Sequence, residues 1–562
     1  MKTRLYLNIA LAISGTLCGR AESAESAAPT HSRDFYSIDV KVAPSRGSYE
    51  GKMTLYYRNL GSSTMSVVRL RLDGNLGTQQ TIEISSVEDD SGKALSWAFR
   101  TVKYGRFVSE KGALEVTLPA PLASGSDVAL EIGFHGEGHF VGADMVIFQD
   151  APFHSLDAWY PKAMSPRGEG WSLDDDRPAD YDVSLRLPEK WAVGSTGRVN
   201  EEVLRDGERR LQLKAEAVRG FTIYASPDWQ RHEKHYGDFE LGICLPEEAD
   251  SWTDRFMDVA ADAIAFYEAE YGHFPTKHLD IVCPGRLGGK ADGSSAACNV
   301  IMVFLSGQLE KQYRFLISHE VAHQYFGSQV GFSRDSIGWV PIGLGLMMDE
   351  HYQTARGLDA PFGRMMMRDF YLRAERMGFD TTLSQPVQGA MRAPPPWSQG
   401  WNMSLAHGKA YAVCAMLRDL MGEDEFRTVI RNIIATHAGG LVADGDFIHQ
   451  CECALGEHLD WFVADWIDGR TTLDYEIADV RKTDVGWDIE VKRVGSGRFP
   501  VLLQVTTEDG KTLSQRADRD AMTSTLHFKT SSDLKSAAID PKGYYPDVNP
   551  SNNIWPRTGG GK

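Results

Sequence analysis

The 562-residue chain is short of several things, and each shortage removes a class of function. Cysteine is scarce, seven in all and none in a CxxC spacing, so neither a dense disulfide framework nor a thiolate zinc clip organises the fold. No basic cluster stands out and the formal net charge is −18, which opposes binding to phosphate backbones and argues against nucleic acid as a partner. Past the N-terminus no apolar run is long enough to span a bilayer, and there is no internal repeat or low-complexity block. What remains is an ordinary globular composition, 42% hydrophobic and 24% charged, in a chain too long for one core.

The first residues, "MKTRLYLNIALAISGTLCGRAESAESAAP", carry Lys2 and Arg4, then an apolar run from Leu5 to Leu17, then small residues. That order is expected of a secretory leader, placed at residues 1–28 and too short to serve as an anchor. Leu17 stands where a lipid-attachment site needs a small residue before Cys18, so the expectation is a soluble periplasmic or secreted product with no membrane span in the mature chain. The six later cysteines, at 244, 283, 298, 414, 451 and 453, sit in an export context that permits pairing, but connectivity is not legible from sequence.

Periodicity divides the rest. Short alternating runs such as "YSIDVKV", "KMTLYYRN" and "ADYDVSLRLP" predict an N-terminal antiparallel β domain over residues 29–232. From about residue 250 the period becomes helical: "DSWTDRFMDVAADAIAFYEAEYG" places Trp252, Phe256, Val259, Ala260 and Ile264 on one face, with Gly272 beyond the end. Further helices are expected from Gln308 to Phe326, from Pro341 to Gly357 and from about Lys409, the last after the Pro-rich "RAPPPWSQG". Alternation returns after residue 471, as in "WDIEVKRV". The predicted fold class is multidomain α+β: the N-terminal β domain, a mainly helical domain over 233–470, and a small C-terminal β domain with tail over 471–562.

Chemistry concentrates in "ISHEVAHQYFGSQVGFSRDSIGWVPIGLGLMMDE". His319 and His323 are four residues apart with Glu320 between them, the HExxH spacing. On a helix both imidazoles share one face, where they can hold one metal, and the carboxylate sits beside that metal as a general base acting on water. A zinc hydrolase also needs a third protein ligand.

With "HEVAHQYFG" followed by "WVPIGLGLMMDE", the chain resembles the aminopeptidase N family of zinc metallopeptidases, which includes the leukotriene hydrolases. "ADYDVSLRLPEKWAVGSTG", "KAYAVCAMLRDLMGEDEF" and "AIDPKGYYPDVNPSNN" resemble that family's N-terminal domain end, post-catalytic helix and bacterial C-terminal tail. The resemblance implies a thermolysin-like domain over 233–470, zinc as cofactor, and hydrolysis of a peptide or peptide-like amide. It also marks departures. The family's third ligand, a Glu nineteen residues after the second His, falls here on Ile342. The Glu of its G-x-M-E-N stretch, which holds the substrate amine, falls on Cys298 of "SAACN", with Asn299 retained. The oxyanion Tyr of its Y-x-K-G stretch falls on His407 of "HGKA". The outer carboxylate seven residues after the ligand position, which in the family hydrogen-bonds a zinc-bound His, survives as Asp349.

His319 and His323 are thus the candidate metal ligands and Glu320 and His407 the candidate catalytic residues, with a weak zinc site expected. His407 has three readings: a bland helix-start residue, a proton donor to the oxyanion, or a substitute third ligand. Cys298 reads as a small buried hydrophobe before it reads as a nucleophile. Two functions follow. One is an exported metal-dependent hydrolase with an altered active site; the other is an inactive relative that binds a peptide or small molecule in the old cleft.

Overall fold

Alternating burial makes the first sheet. In Ala179–Pro188 the side chains of Tyr181, Val183, Leu185 and Leu187 are buried, and the same period recurs in Phe35–Ala43 and Ser48–Arg58. The computed structural model describes residues 31–557 apart from 44–46, 77–80, 105–106, 138, 141–145, 148–158, 168–169, 173–176, 289–292, 308, 333–337, 360–361 and 386–401. The leader, Cys18 and the Pro-rich stretch lie outside the described residues.

A seven-stranded sheet runs Arg198–Arg205, Glu208–Val218, Ala179–Pro188, Phe35–Ala43, Ser48–Arg58, Asp127–Glu137, Ile82–Asp89. It is not wholly antiparallel as the alternation suggested: Phe35–Ala43 lies parallel to Ala179–Pro188, Val40 opposite Leu185. The long intervening chain permits this, because parallel partners need a long connection.

Strands Trp229–Tyr236 and Phe239–Pro246 turn away from that sheet into a second, ordered Trp229–Tyr236, Phe239–Pro246, His278–Val282, Val300–Val303, Ser294–Ala297. The expected boundary between residues 232 and 233 falls inside the first of these strands. Helix α1 (Thr253–Tyr271) buries the anticipated Phe256, Val259, Ala260 and Ile264 and ends at Gly272, φ 102°, where a residue without Cβ turns the chain. Helix α2 (Leu309–Ala322) stops short of the expected Phe326. Its last turn tightens instead: Gln324 N–H bonds Val321 O and Tyr325 N–H bonds Ala322 O, both three residues back. Helix α3 (Trp339–Ala355) starts two residues before Pro341, which the first turn tolerates because its N–H has no partner there anyway. Helix Ala410–Met421 begins one residue after Lys409 and is preceded by a π-helical turn, Asn402–Lys409, with no sequence signature.

The helices share one apolar core with C-terminal strands through Tyr475, Ile489, Val491, Leu503, Val505 and Phe528, while the N-terminal sheet has its own core. The molecule therefore has an N-terminal β-rich region, a helical middle and C-terminal β-sheets. No helix among the described residues is long and apolar enough to cross a membrane.

Charge pins the N-terminal region to the second sheet. Arg231 Nη1 donates to Asp280 Oδ2 at 2.9 Å and to Val193 O at 2.9 Å, and Ser195 N–H donates to the same carboxylate at 2.9 Å. His278 lies 3.4 Å from Glu240 and 3.6 Å from Asp280, ion-pair rather than hydrogen-bond distances. Burial, with a smaller push from Arg231, opposes charging His278; the two carboxylates outweigh both and push its pKa up to about 9, while Arg231 and His278 hold Asp280 well below the usual carboxylate range against its own burial.

Candidate functional site

The 3.6-residue period of α2 brings His319 and His323 onto one face. Their Nε2 atoms are 3.1 Å apart, with ring centroids at 4.6 Å and planes at 86°. Two zinc–imidazole bonds of tetrahedral geometry would separate their nitrogens by about 3.3 Å, so the pair is already convergent. His323 Nδ1–H donates to Phe326 O at 3.1 Å, which fixes the neutral tautomer with a lone pair on Nε2. That lone pair accepts Nε2–H of His319.

His319 is boxed by rings: Phe315 at 5.3 Å one turn earlier, Phe362 at 6.0 Å, His323, and His407 at 6.4 Å. Burial holds both imidazoles neutral, His323 at about 4 and His319 well below its ordinary value, the latter also disfavoured by neighbouring His323 and His407. Glu320 is shifted the other way. Burial raises its pKa to about 8, with Asp349 adding to the rise and a hydrogen bond with Ser294 opposing it. Ser294 begins the edge strand Ser294–Ala297 and was not singled out from sequence; its place just before "SAACN" was the available signal.

Helix α3 lies against the pair but presents no donor. An added Cβ at Gly345 would sit 3.3 Å from His323 Cε1, so the helix backbone packs directly on that ring. Ile342, one turn earlier, is partly buried against the main core. Asp349 is not on a histidine, contrary to the role its position implied. Its Oδ1 accepts Ser318 Oγ–H at 2.5 Å and Gln353 Nε2–H at 3.4 Å, donors that lie nearer the short Asp side chain. His319 Nδ1 is left buried with no hydrogen-bond partner in the structure. Burial lifts Asp349 to about 7, against the pull of Ser318 and Gln353.

Cys298 and Asn299 form the turn after the edge strand. Cys298 packs into the core of the N-terminal sheet. Asn299 takes φ 61° and donates its N–H to Gln324 Oε1 at 2.9 Å, while Gln324 Nε2 donates to Ala297 O at 3.1 Å. Gln324, fully buried and one turn past Glu320, thus clasps α2 to the edge hairpin; sequence reasoning missed it, although its i+4 spacing from Glu320 was visible. His407 is half-buried on the π-helical turn. A cleft of about 1000 Å³ lies beyond this hairpin, bordered by Cys298, Asn299, Ser328, Gln329, Arg198 and Lys277, and does not include the histidine pair.

Zinc can be tested against this donor set. Two neutral, convergent imidazoles fit it; position 342 does not supply the third ligand, and no three His, Cys, Asp or Glu among the described residues are gathered closely enough to hold a metal. The residues present fit a two-imidazole site rather than a completed three-ligand one.

The family model "Peptidase family M1 domain" matches residues 257–466. The chain is 25% identical over 349 residues to tricorn protease-interacting factor F2 of Thermoplasma volcanium, covering 59% of this chain and 42% of that protein. It is 23% identical over 395 residues to probable aminopeptidase 2 of Sulfurisphaera tokodaii, covering 65% and 48%. The chain thus spans less than half the length of these curated relatives. In structure it is similar to the M1 zinc metallopeptidase of Deinococcus radiodurans, with TM-score 0.57, 17% identity, 79% of this chain and 96% of that one covered. With fold, helical core and HExxH helix in agreement, the match of residues 257–466 to the M1 peptidase domain supports a divergent member of the aminopeptidase N family.

Proposed function

We propose that this chain is an exported, metallopeptidase-like hydrolase with an altered active site, acting on a peptide or peptide-like amide but not as a standard aminopeptidase. One observation carries the reading: two convergent neutral imidazoles and a buried Glu320 persist beside an apolar third-ligand position, Ile342. His319 and His323 would hold the metal, weakly. When bound, zinc supplies a Lewis acid that lets water attack an amide at neutral pH. Glu320, hydrogen-bonded with Ser294, holds its proton below about pH 8 and is the group placed to exchange one with water. With Cys298 in the family's amine-anchoring place, a free α-amine meets no carboxylate there. With His407 in the oxyanion Tyr place, an imidazole takes the proton-donor position.

The experiment is turnover by the zinc-loaded full chain on aminoacyl reporter amides and on N-blocked peptides. Cleavage of the blocked peptides that disappears in Glu320→Gln, with little release from the reporters, is the expected result. Efficient release of free N-terminal amino acids would refute the altered-specificity reading. Export rests on the leader, so N-terminal sequencing of the secreted product should start near residue 29.

The second reading, a non-catalytic peptide or small-molecule binder, is supported by the 1000 Å³ cleft lying apart from the histidine pair. Saturable peptide binding without turnover, unchanged in Glu320→Gln, would replace the first reading with the second.

A further inference from the structure

An acidic chain keeps one basic recess. The cleft of about 1000 Å³ beyond the edge hairpin is bordered by Arg33, Arg198 and Lys214 of the N-terminal region and, from the chain between α1 and the strand His278–Val282, by His273, Lys277 and His278. Glu216 is the one acidic residue of its described lining. We infer that this cleft binds an acidic peptide segment, several Asp or Glu side chains at once, through Arg33, Arg198, Lys214 and Lys277. Such binding rests on the cleft reading of the function proposed above, names the peptide class that reading leaves open, and does not involve the histidine pair.

These four cations are the ones with donors to spare. The carboxylates beside Arg33 and Lys214 are already engaged: Asp180 accepts the N–H of Ala217 at 2.8 Å, and Asp182 accepts Gln212 Nε2–H. Each sits 3.4 Å from its cation, beyond ordinary hydrogen-bond range. Lys277 meets Asp238 at 3.0 Å, but that carboxylate is 80% exposed, and a pair so open to water is worth little. Arg198 gives its Nε to Glu240 at 2.6 Å, which leaves the terminal nitrogens of the guanidinium for another acceptor. Arg198 and Lys214 also stand directly opposite each other on the paired strands Arg198–Arg205 and Glu208–Val218. Like charges in that position repel, and an anion set between them relieves the repulsion. His278 is not counted, because Glu240 and Asp280 already face it.

The distribution selects the ligand. Cations on both walls of a cleft at the top of the usual size range for a ligand pocket suit a chain of separated carboxylates better than one small anion. The described lining holds no Phe, Tyr or Trp on which bases could stack, so a single-stranded nucleic acid fits it less well. The formal net charge of −18 opposes any acidic ligand at long range. At physiological salt that field is screened beyond about 8 Å, and the nearby lining decides.

The test is fluorescence anisotropy of a labelled Glu-rich octapeptide, its Gln counterpart and a labelled oligothymidylate, each titrated with the full chain. Lys214→Gln/Lys277→Gln removes one cation from each wall, and both side chains are about half exposed, so the fold is kept. Lys482→Gln/Lys511→Gln removes the same charge from the C-terminal β region, where both side chains are exposed, and serves as the control for net charge. Wild type and the control should bind the Glu peptide alike and about 10-fold more tightly than the Gln peptide, with affinity falling as salt rises. The cleft variant should lose about that factor toward the Glu peptide and nothing toward the Gln peptide. Equal binding of the two peptides, or equal losses in the two variants, would overturn the acidic-peptide assignment and leave the cleft reading standing. Tighter binding of the oligothymidylate than of the Glu peptide would overturn it in favour of a nucleic acid. No binding of either peptide would remove both the assignment and the cleft reading.

Discussion

Two buried clusters of ionisable side chains lie in the middle of this molecule and have opposite characters. Around Asp280 every charge meets a counter-charge: Arg231 and His278 are held protonated and the carboxylate ionised. Around Glu320 every group is pushed to its neutral form, the imidazoles downward and both carboxyls upward. Burial is near complete in both, with Asp280 at 1% and Glu320 at 4% exposed, so burial is not what distinguishes them. The difference is whether opposite charges face each other. A cluster that supplies its own counter-ions is finished and structural, whereas one that lacks them has donors to spare for a ligand.

The most forceful way to break the comparison is to remove one partner from each cluster. Asp280→Ala strands Arg231 and His278 in the interior and is expected to cost about 3–5 kcal/mol, read from urea unfolding. Glu320→Gln replaces a protonated acid by an amide of equal size and should stay within about 1 kcal/mol of wild type at pH 7. Equal losses would mean that the two clusters do the same work.

Next in size is the pH dependence. A histidine whose pKa is raised on folding binds its proton more tightly in the folded state, so the His278 contribution is fully present below 6.5 and is lost as pH rises through about 9. Stability should decline by up to about 3 kcal/mol across that window, and His278→Gln should flatten the decline. Raised carboxyls give a decline of the same sign at lower pH, so a slope that survives in His278→Gln but vanishes in Glu320→Gln would belong to the other cluster.

Ile342→Glu then sharpens the contrast by giving the second cluster its missing negative charge. Zinc affinity should rise about 100-fold or more by competition titration. No change would place residue 342 away from the imidazoles or show the site already complete.

The smallest pair of effects lies on α3. Gly343→Ala drives a Cβ to 2.7 Å from Cys414 Sγ and 3.2 Å from Ala410 O, an overpacking cost of about 1–3 kcal/mol in the thermal midpoint. Gly345→Ala meets only the His323 ring edge, at 3.3 Å, and the helix propensity it gains offsets the strain. Its stability should stay near wild type while zinc binding weakens, because the ring it shifts is one of the two proposed ligands.

What could be read in advance follows from which interactions are local. The i, i+4 spacing of His319 and His323 and the turn at Gly272 are consequences of helix geometry within a few residues, and both were legible. The parallel pairing of Phe35–Ala43 with Ala179–Pro188 depends on a partner far along the chain, and alternation is the same for either direction. The π-helical turn at Asn402–Lys409 leaves no mark in residue type. The resemblance located Asp349 seven residues after the ligand position but could not foresee that Ser318 and Gln353, ordinary polar residues by sequence, would take its carboxylate.

The Gln324 clasp bears on how this centre could change over time. Because one amide ties Ala297 and Asn299 of the hairpin to α2, the helix and the strand beside Glu320 keep their relation whether or not anything occupies the space between them. The scaffold therefore holds its aim independently of the ligand. A lineage could drop or swap a single donor without disordering its neighbours, and a later substitution restoring a donor would find the others still in place, with little reorganisation entropy to overcome. Loss at such a centre is reversible for as long as the amide of Gln324 remains.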